Sequence, residues 1–123
     1  MSKKVFLSFS LKDQPLVNLL RKQLSIEGPT LQFDDLTSIE SGEEWKKVVE
    51  DKIKSSSSVI CILGYNTWES DPVKWEVEEA LKQGKKVIAI KLKPTVFLFP
   101  NVITDNKIKV LDWDFSKIMQ EIK

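Results

Sequence analysis

Two apolar segments and the amphipathic segment between them constrain the fold of this chain most strongly. Val59–Leu63 and Val87–Ile90 are continuously apolar, which is typical of central strands in a parallel sheet that is covered on both faces. The segment between them places its apolar residues on one helical stripe: Val73, Val77, Ala80 and Leu81. A strand, a helix and a second strand in this order predict a right-handed βαβ unit.

The rest of the chain continues the same alternation. Strands are predicted at 5–9, 30–33 and 108–111, and helices at 15–27, 43–53 and 115–122. Local signals set the helix ends: Pro15, the capping box Ser41-Gly42-Glu43-Glu44, Asp71 as a cap before Pro72, and Gly84 as a stop. We therefore expect one domain over 1–123, an α/β, flavodoxin-like three-layer sandwich whose five-stranded parallel sheet has the order 2-1-3-4-5.

Residues 93–106 do not fit this alternation. Two prolines flank the apolar stretch Thr95–Phe99. The stretch is compatible with a poor edge segment, a lid or a surface for self-association, and the sequence leaves these three open.

Composition excludes several functional classes. The chain has 123 residues, 19 lysines and arginines against 18 acids, no histidine and one cysteine. Without histidine, general acid–base catalysis by imidazole and Cys/His metal sites are excluded, and Cys61 lies in an apolar strand where it is expected to be a buried thiol. No basic run, membrane span or export signal is visible, so we expect a cytoplasmic protein that binds neither nucleic acid nor membrane.

Most acidic residues are explained by a solvent-exposed position that keeps the protein soluble, and Glu76 fits this explanation least. At about 100° per residue it falls roughly 60° from Val73, at the margin of the apolar stripe. Its carboxylate should therefore lean over the carboxyl ends of the strands, where such sheets bind ligands, together with the loops 10–13, 34–41 and 65–71. A glutamate in a structural ion pair would show the same spacing.

The functional sites known from other proteins of this fold class do not match this sequence. A phospho-receiver needs an aspartate closing strand three, but that strand ends in Gly64-Tyr65, and the loop after strand one lacks the glycine that a flavodoxin phosphate loop needs. Neither a P-loop nor a dinucleotide-binding glycine motif is present.

Three sequence boxes resemble the TIR-like domains, and among them the bacterial ThsB type of the Thoeris antiphage system. The boxes are Val5–Ser10 with Asp13, Phe33-Asp34-Asp35 with Ser41–Trp45, and Ser70–Glu76 with Gly84-Lys85. The resemblance covers about residues 4–92, and three boxes in order are far more specific than one.

The resemblance implies an NAD⁺-cleaving enzyme in which Glu76 is catalytic, as counted back from Gly84-Lys85. NAD⁺ would be the substrate, with no prosthetic group and no metal. A carboxylate near the ribose can stabilise the cation that forms when nicotinamide leaves. The family usually has tryptophan four residues before this glutamate, whereas this chain has Pro72 there and Trp75 beside the acid, a departure that bears on how nicotinamide is stacked.

The remaining substrate-binding candidates are weaker. They are Phe9 and Ser10 for ribose and base, Phe33, Asp34 and Asp35 for the adenosine side, and Trp68 and Ser70 in the loop over the site. Core packing explains Phe9 and Phe33 better than ligand contact does, and turn formation explains the two aspartates equally well. Trp68 could simply hold its loop in place.

Two other functions remain open. One is a non-catalytic TIR-type signalling module that self-associates through Trp75, predicted to point outward, and Val96–Phe99. The other is an enzyme similar to nucleoside deoxyribosyltransferases. For the NAD⁺-cleaving enzyme, the product could be free, cyclic or conjugated ADP-ribose, an effector protein would be reached through that product, and basal activity would be weak without assembly or a phage component.

Overall fold

The computed structural model describes residues 3–27, 31–34 and 43–122. Five strands in this part of the chain form one parallel sheet in the order β2-β1-β3-β4-β5, which confirms the predicted order. The strands are β1 (Lys3–Ser8), β2 (Leu31–Asp34), β3 (Ser58–Leu63), β4 (Lys86–Lys91) and β5 (Lys109–Leu111). Each lies within two residues of its predicted bounds.

Helices cover both faces of this sheet. They are α1 (Gln14–Glu27), α2 (Glu43–Lys54), α3 (Asp71–Lys82), α4 (Asn101–Asp105) and α5 (Phe115–Ile122). Helices α1 and α5 pack on one face, and α2, α3 and α4 pack on the other. The two short connections Leu11–Asp13 and Thr67–Glu69 are 3₁₀ turns at the carboxyl ends of β1 and β3.

Strand β3 lies at the centre of both hydrophobic layers. All six of its residues are buried, and they alternate between the two faces. Ile60 and Ile62 contact the layer of α1 and α5, whereas Cys61 and Leu63 contact α3 and α4. Burial of each large aliphatic side chain contributes about 1.5–3 kcal/mol, so the continuous apolar run is explained by a strand that has no solvent face.

The ends of α3 follow from local chemistry. The Ser70 side chain caps the helix by accepting a hydrogen bond from the Val73 amide at 3.4 Å, and Pro72 lies in the first turn. The predicted cap, Asp71, is wrong: it is the first helical residue, and its exposed carboxylate lies 3.9 Å from the Lys74 ammonium. Gly84 ends the helix region with φ +75°, a conformation that costs glycine little, as predicted.

Two surface features differ from the sequence expectations. The segment after β4 contains the short helix α4, whose Val102 and Ile103 join the core beside α3, a packing that the proline-flanked pattern did not predict. The 3.6-residue spacing of Leu16, Leu19, Leu20 and Leu24 predicts that Leu19 lies on the buried stripe of α1. It is exposed, because Val17, Leu20 and Leu24 fill that stripe.

The predicted N-terminal cap of α2 falls on residues that the structure does not describe. Ser41 and Gly42 of the predicted capping box lie outside the described residues, and α2 begins at Glu43.

No helix in residues 3–27 or 43–122 combines the length and the apolar character that a membrane crossing requires.

Candidate active site

Glu76 lies on the inner side of α3 and is only 6% exposed. Its carboxylate accepts a hydrogen bond from the Ser8 hydroxyl, with 2.5 Å between Ser8 Oγ and Glu76 Oε1. Ser8 is the last residue of β1, so the carboxylate is held over the carboxyl end of a central strand. The helical spacing predicted this position.

Cys61 also lies near the Glu76 carboxylate. It pairs with Ser8 in the sheet register and faces α3. Burial first, and then the negative charge of Glu76, raise the pKa of the Cys61 thiol far above its ordinary range. Cys61 therefore stays a protonated thiol and packs as an apolar side chain beside the carboxylate. This agrees with the buried thiol that the sequence predicts.

A cleft of about 390 Å³ lies at the same edge of the sheet. It is lined by Ser10, Lys12, Asn66, Glu69, Ser70, Asp71 and Pro72. These residues come from the loops that follow β1 and β3 and from the first turn of α3. Among the described residues, Glu76 is not part of this lining; it lies one helical turn behind Pro72.

A buried polar cluster joins the two loops beneath the cleft. The Thr67 hydroxyl lies 3.4 Å from Asp13 Oδ2 and 3.3 Å from the Ile62 carbonyl, and it accepts a hydrogen bond from the Gly64 amide at 2.8 Å. The Asp13 carboxylate packs directly on Gly64, where a Cβ atom would lie 2.2 Å from Oδ2. Burial raises the pKa of Asp13, and the Thr67 hydrogen bond partly opposes that rise.

The structure brings together two of the predicted substrate-binding residues, Ser10 and Ser70, which both line the cleft. Trp68 lies in the 3₁₀ turn between Asn66 and Ser70 and is 41% exposed. Its predicted contact with a ligand ring stays a prediction.

The other predicted substrate-binding residues lie elsewhere. Phe9 and Phe33 pack against the core on the α1 face, opposite to the face that carries Glu76, which matches their alternative interpretation as core residues. Asp34 pairs with Lys52 of α2 at 2.8 Å. Asp35 lies outside the described residues.

Sequence reasoning missed Ser8 and Thr67. Ser8 is the one polar residue among Val5–Phe9, and with a period of two it shares a face with Phe6. That signal could have identified it as a polar group facing α3. Thr67 shows no comparable signal, because its role depends on the fold of the loop after β3.

Two side chains of α3 differ from their predicted positions. Trp75, predicted to point outward, is half-buried and packs edge-to-face on Trp45 at 5.1 Å between ring centroids. The helical projection of α3 places Glu79 opposite the apolar stripe, on the solvent side, but it is buried. In both cases the neighbouring helix α2 covers a surface that a helical projection of α3 alone assigns to solvent.

No group of three or more Asp, Glu, Cys or His side chains in the described part of the chain has a geometry that could hold a metal ion. The candidate site comprises the buried Glu76 carboxylate, the Ser8 hydroxyl that donates to it, and a polar cleft at the strand ends.

The family model for "Thoeris protein ThsB, TIR-like domain" matches residues 6–96, about three quarters of the chain. The chain belongs to the ThsB TIR-like family. The matched region begins within β1 and includes β2 to β4 and α3, and it therefore contains Ser8, Glu76 and the cleft. No curated protein sequence matches this ThsB-type domain.

Solved structures with the same fold include TIR domains and a glycosidase. The TIR domain of the Toll-related receptor TRR-2 from Hydra magnipapillata matches with a TM-score of 0.64 and 16% identity, over 96% of this chain and 90% of that one. BcmB, a CMP N-glycosidase from Clostridium botulinum, matches with a TM-score of 0.61 and 20% identity, over 96% of both chains.

A third similar structure is that of the TIR domains in the activated Roq1 resistosome, which recognises the effector XopQ. The TM-score is 0.57 with 21% identity, over 73% of this chain, which spans 57% of the Roq1 chain. At these identities the three likenesses establish the fold alone.

Proposed function

We propose that this ThsB-type domain cleaves the bond between nicotinamide and ribose in NAD⁺, with Glu76 as the catalytic residue. The product would be an ADP-ribose-derived signal, linear or cyclic, that reaches an effector protein in antiphage defence within the cytoplasm. The observation that carries this proposal is the buried Glu76 carboxylate, held by Ser8 at the carboxyl end of β1 beside a polar cleft.

The chemistry needs one well-placed negative charge. Loss of nicotinamide leaves a ribosyl cation, and a carboxylate in a site with little water stabilises that cation far more than it would in bulk solvent. The Ser8 hydrogen bond and the packed Cys61 side chain fix the carboxylate, so little reorganisation is needed in the transition state. Nicotinamide leaves as a neutral molecule, and a second acid is therefore not required.

The cleft supplies complementary groups for the rest of a nucleotide. Its volume of about 390 Å³ lies within the range of small-molecule sites. Ser10 and Ser70 offer hydroxyls and Asn66 an amide. Lys12 is the one cation in the described lining, which also carries the carboxylates of Glu69 and Asp71.

The likeness to BcmB supports the proposal at the level of the fold. BcmB is described as a CMP N-glycosidase, and its structure matches this chain over 96% of the length of both. A protein with this fold therefore cleaves an N-glycosidic bond. Because one fold can host many functions, the residues around Glu76 carry the argument.

The test is nicotinamide release from NAD⁺ by the wild-type protein, the Glu76→Gln variant and the matched control Glu79→Gln, with the products identified by chromatography. Glu79 lies on the same helix with similar burial. We expect release by the wild type and by Glu79→Gln, and a loss of at least about a hundredfold in Glu76→Gln. Unchanged release by folded Glu76→Gln would contradict the proposal, and CMP as a second substrate separates the two glycosidic reactions.

A second candidate function, signalling through self-association, is favoured by an exposed apolar surface. Phe97 is 75% and Leu98 60% exposed, and together with Tyr65 they border a small hollow at the same edge of the sheet. The Roq1 TIR domains are described as part of an assembled resistosome. On this proposal, replacement of Phe97 and Leu98 by serine would shift a concentration-dependent oligomer to monomer in size-exclusion chromatography; an unchanged elution profile would contradict it.

A further inference from the structure

The cleft at the strand ends presents hydroxyls, an amide and charges, but little flat apolar surface. Among the described residues that line it, none has an aromatic ring, and Pro72 is the one apolar side chain. A nucleobase needs such a surface, because it binds largely through stacking of its π-face on aromatic side chains. The cleft is therefore suited to the sugar of a nucleotide, and a base requires a neighbouring surface.

A second hollow, of about 230 Å³, lies at the same edge of the sheet. We call it the β3–β4 hollow, because it is formed by Tyr65 after β3 and by residues 95–98 after β4. The loop after β3 is shared with the cleft, since the next residue, Asn66, lines the cleft. The two concave surfaces are thus neighbours, and a ligand with two linked halves can occupy both.

Aromatic rings form the walls of the β3–β4 hollow. Phe97 is 75% and Tyr65 55% exposed. The Tyr65 hydroxyl is hydrogen-bonded to the Thr95 hydroxyl, which ties the two loops together, and Val96 is buried in the core beside α3. Exposed aromatic surface is unfavourable in water, and a planar base stacked on it would remove it from solvent. The hollow therefore offers a planar ligand a wall that is already held in place.

Lys91 adds a positive charge beside this wall. It is the last residue of β4, and its ammonium lies 5.0 Å from the centre of the Phe97 ring. A lysine at this place can pair with the phosphates of a nucleotide whose base is stacked on Phe97. In the cleft, by contrast, Lys12 is accompanied by the carboxylates of Glu69 and Asp71. The phosphates of a substrate are therefore placed more favourably at Lys91 than in the cleft.

We propose that the β3–β4 hollow binds the adenine base of the substrate dinucleotide, stacked on Phe97 with Lys91 beside the phosphates. The sugar that is attacked lies in the cleft, and the shared loop after β3 separates the two halves of the ligand. The hollow would then select a dinucleotide over a mononucleotide. The identity of the ligand rests on the proposed NAD⁺ cleavage, whereas its binding can be measured without turnover.

The experiment is isothermal titration of ADP-ribose, which contains the adenine half of NAD⁺ and has no bond to nicotinamide. The proteins are the wild type, Phe97→Ala, Phe97→Tyr and the control Leu19→Ala, which removes another exposed apolar side chain from α1, the helix on the opposite face of the sheet. We expect about tenfold weaker binding by Phe97→Ala, because the stacking of one base is lost. Phe97→Tyr keeps a ring and should bind as the wild type does, as should Leu19→Ala.

Ribose 5-phosphate, which has no base, is the second probe, and its affinity should not change in Phe97→Ala. Absence of ADP-ribose binding by the wild type, equal affinity in Phe97→Ala, or an equal loss for both probes would each overturn the proposal. Size-exclusion chromatography at the titration concentrations covers the alternative occupant, a second copy of the chain. A change of oligomeric state in Phe97→Ala with unchanged ADP-ribose affinity would assign the surface to self-association and contradict base binding. Circular dichroism establishes that the variants are folded.

Steady-state kinetics separate this inference from the proposed reaction. Phe97→Ala should raise the KM for NAD⁺ about tenfold and leave kcat within about twofold, because the ring binds the substrate remote from the bond that breaks. A lowered kcat at unchanged KM would contradict the role of Phe97 in binding. If the wild type released no nicotinamide while ADP-ribose binding depended on Phe97, NAD⁺ cleavage would be wrong and the base site would stand.

Discussion

Glu76 and Glu79 lie one turn apart on α3, are buried to nearly the same degree, and have opposite environments. Glu76 faces the sheet and accepts a hydrogen bond from Ser8. Glu79 lines the cleft between α2 and α3, the α2–α3 groove, where the described residues offer its side chain no hydrogen-bond or ion-pair partner. Burial alone therefore does not identify a reaction centre; the partner and the surface that the carboxylate faces distinguish a fixed charge from an available one.

The same contrast extends to the surroundings of the two carboxylates. At the strand ends, Gly64, Asp13 and Thr67 form a closed cluster in which an added methyl group has no room. In the α2–α3 groove, Lys82 and Glu78 are exposed side chains at an open rim. The first region should tolerate little change, and the second should tolerate much.

The strongest test of this comparison shortens each carboxylate by one methylene while keeping its charge. Glu76→Asp withdraws the carboxylate from Ser8 and from the proposed ribosyl cation, and a displacement of about 1 Å can lower a rate about a hundredfold. Glu79→Asp should leave nicotinamide release within about twofold of wild type. Initial rates at saturating NAD⁺ measure both, and equal losses in the two variants would remove the distinction.

Gly64→Ala should destabilise the fold, because its Cβ atom would lie 2.2 Å from Asp13 Oδ2. Overpacking of this kind costs about 1–3 kcal/mol in free energy of unfolding. The matched change in the groove, Lys82→Ala, should stay within about 0.5 kcal/mol of wild type. Urea denaturation compares them, and a neutral Gly64→Ala would show that the cluster is less closed than its contacts indicate.

Ser8→Ala removes the hydroxyl that donates to the Glu76 carboxylate. We expect nicotinamide release to fall about tenfold, which corresponds to the loss of one hydrogen bond to a charged group. Ser8→Thr keeps a hydroxyl at this position and is the conservative control for rescue. If Ser8→Ala retained full activity, the serine would be a packing residue and not a positioning residue.

The smallest effect is a pH dependence of stability at Asp13. Burial raises its pKa in the folded state, so the folded protein holds this proton more tightly than the unfolded chain does. Stability from this group is therefore greatest below the unfolded pKa of about 3.9 and falls as pH rises through the higher folded pKa. Relative to Asp13→Asn, the wild type should lose unfolding free energy in urea titrations as the pH rises above the unfolded pKa of about 3.9; a constant difference would contradict this.

Sequence patterns predicted the elements whose signals are local. The continuous apolar runs gave β3 and β4, the stripe Val73–Leu81 gave α3, and the position of Glu76 followed from its angle to that stripe. These features depend on periodicity and on residue type within a few positions of the chain.

The features that failed depend on neighbours far away in sequence. Glu79 and Trp75 are covered by α2, and the helical period of α3 alone cannot reveal a second helix on its outer flank. The Thr67–Asp13 contact joins residues 54 positions apart, and it exists only once the loops after β1 and β3 meet. Predicting such contacts requires the assembled layers, whereas periodicity describes one element at a time.

The Cys61 thiol is enclosed between β3 and α3, so its accessibility to reagents reports local opening of the domain. Alkylating reagents attack thiolates, and neither solvent nor reagent reaches this sulfur while the layers stay together. Where reclosing is fast relative to alkylation, the labelling rate of this single cysteine measures the equilibrium fraction of molecules in which α3 has opened from the sheet. The same measurement would then give the fraction of time for which the helix that carries Glu76 is displaced.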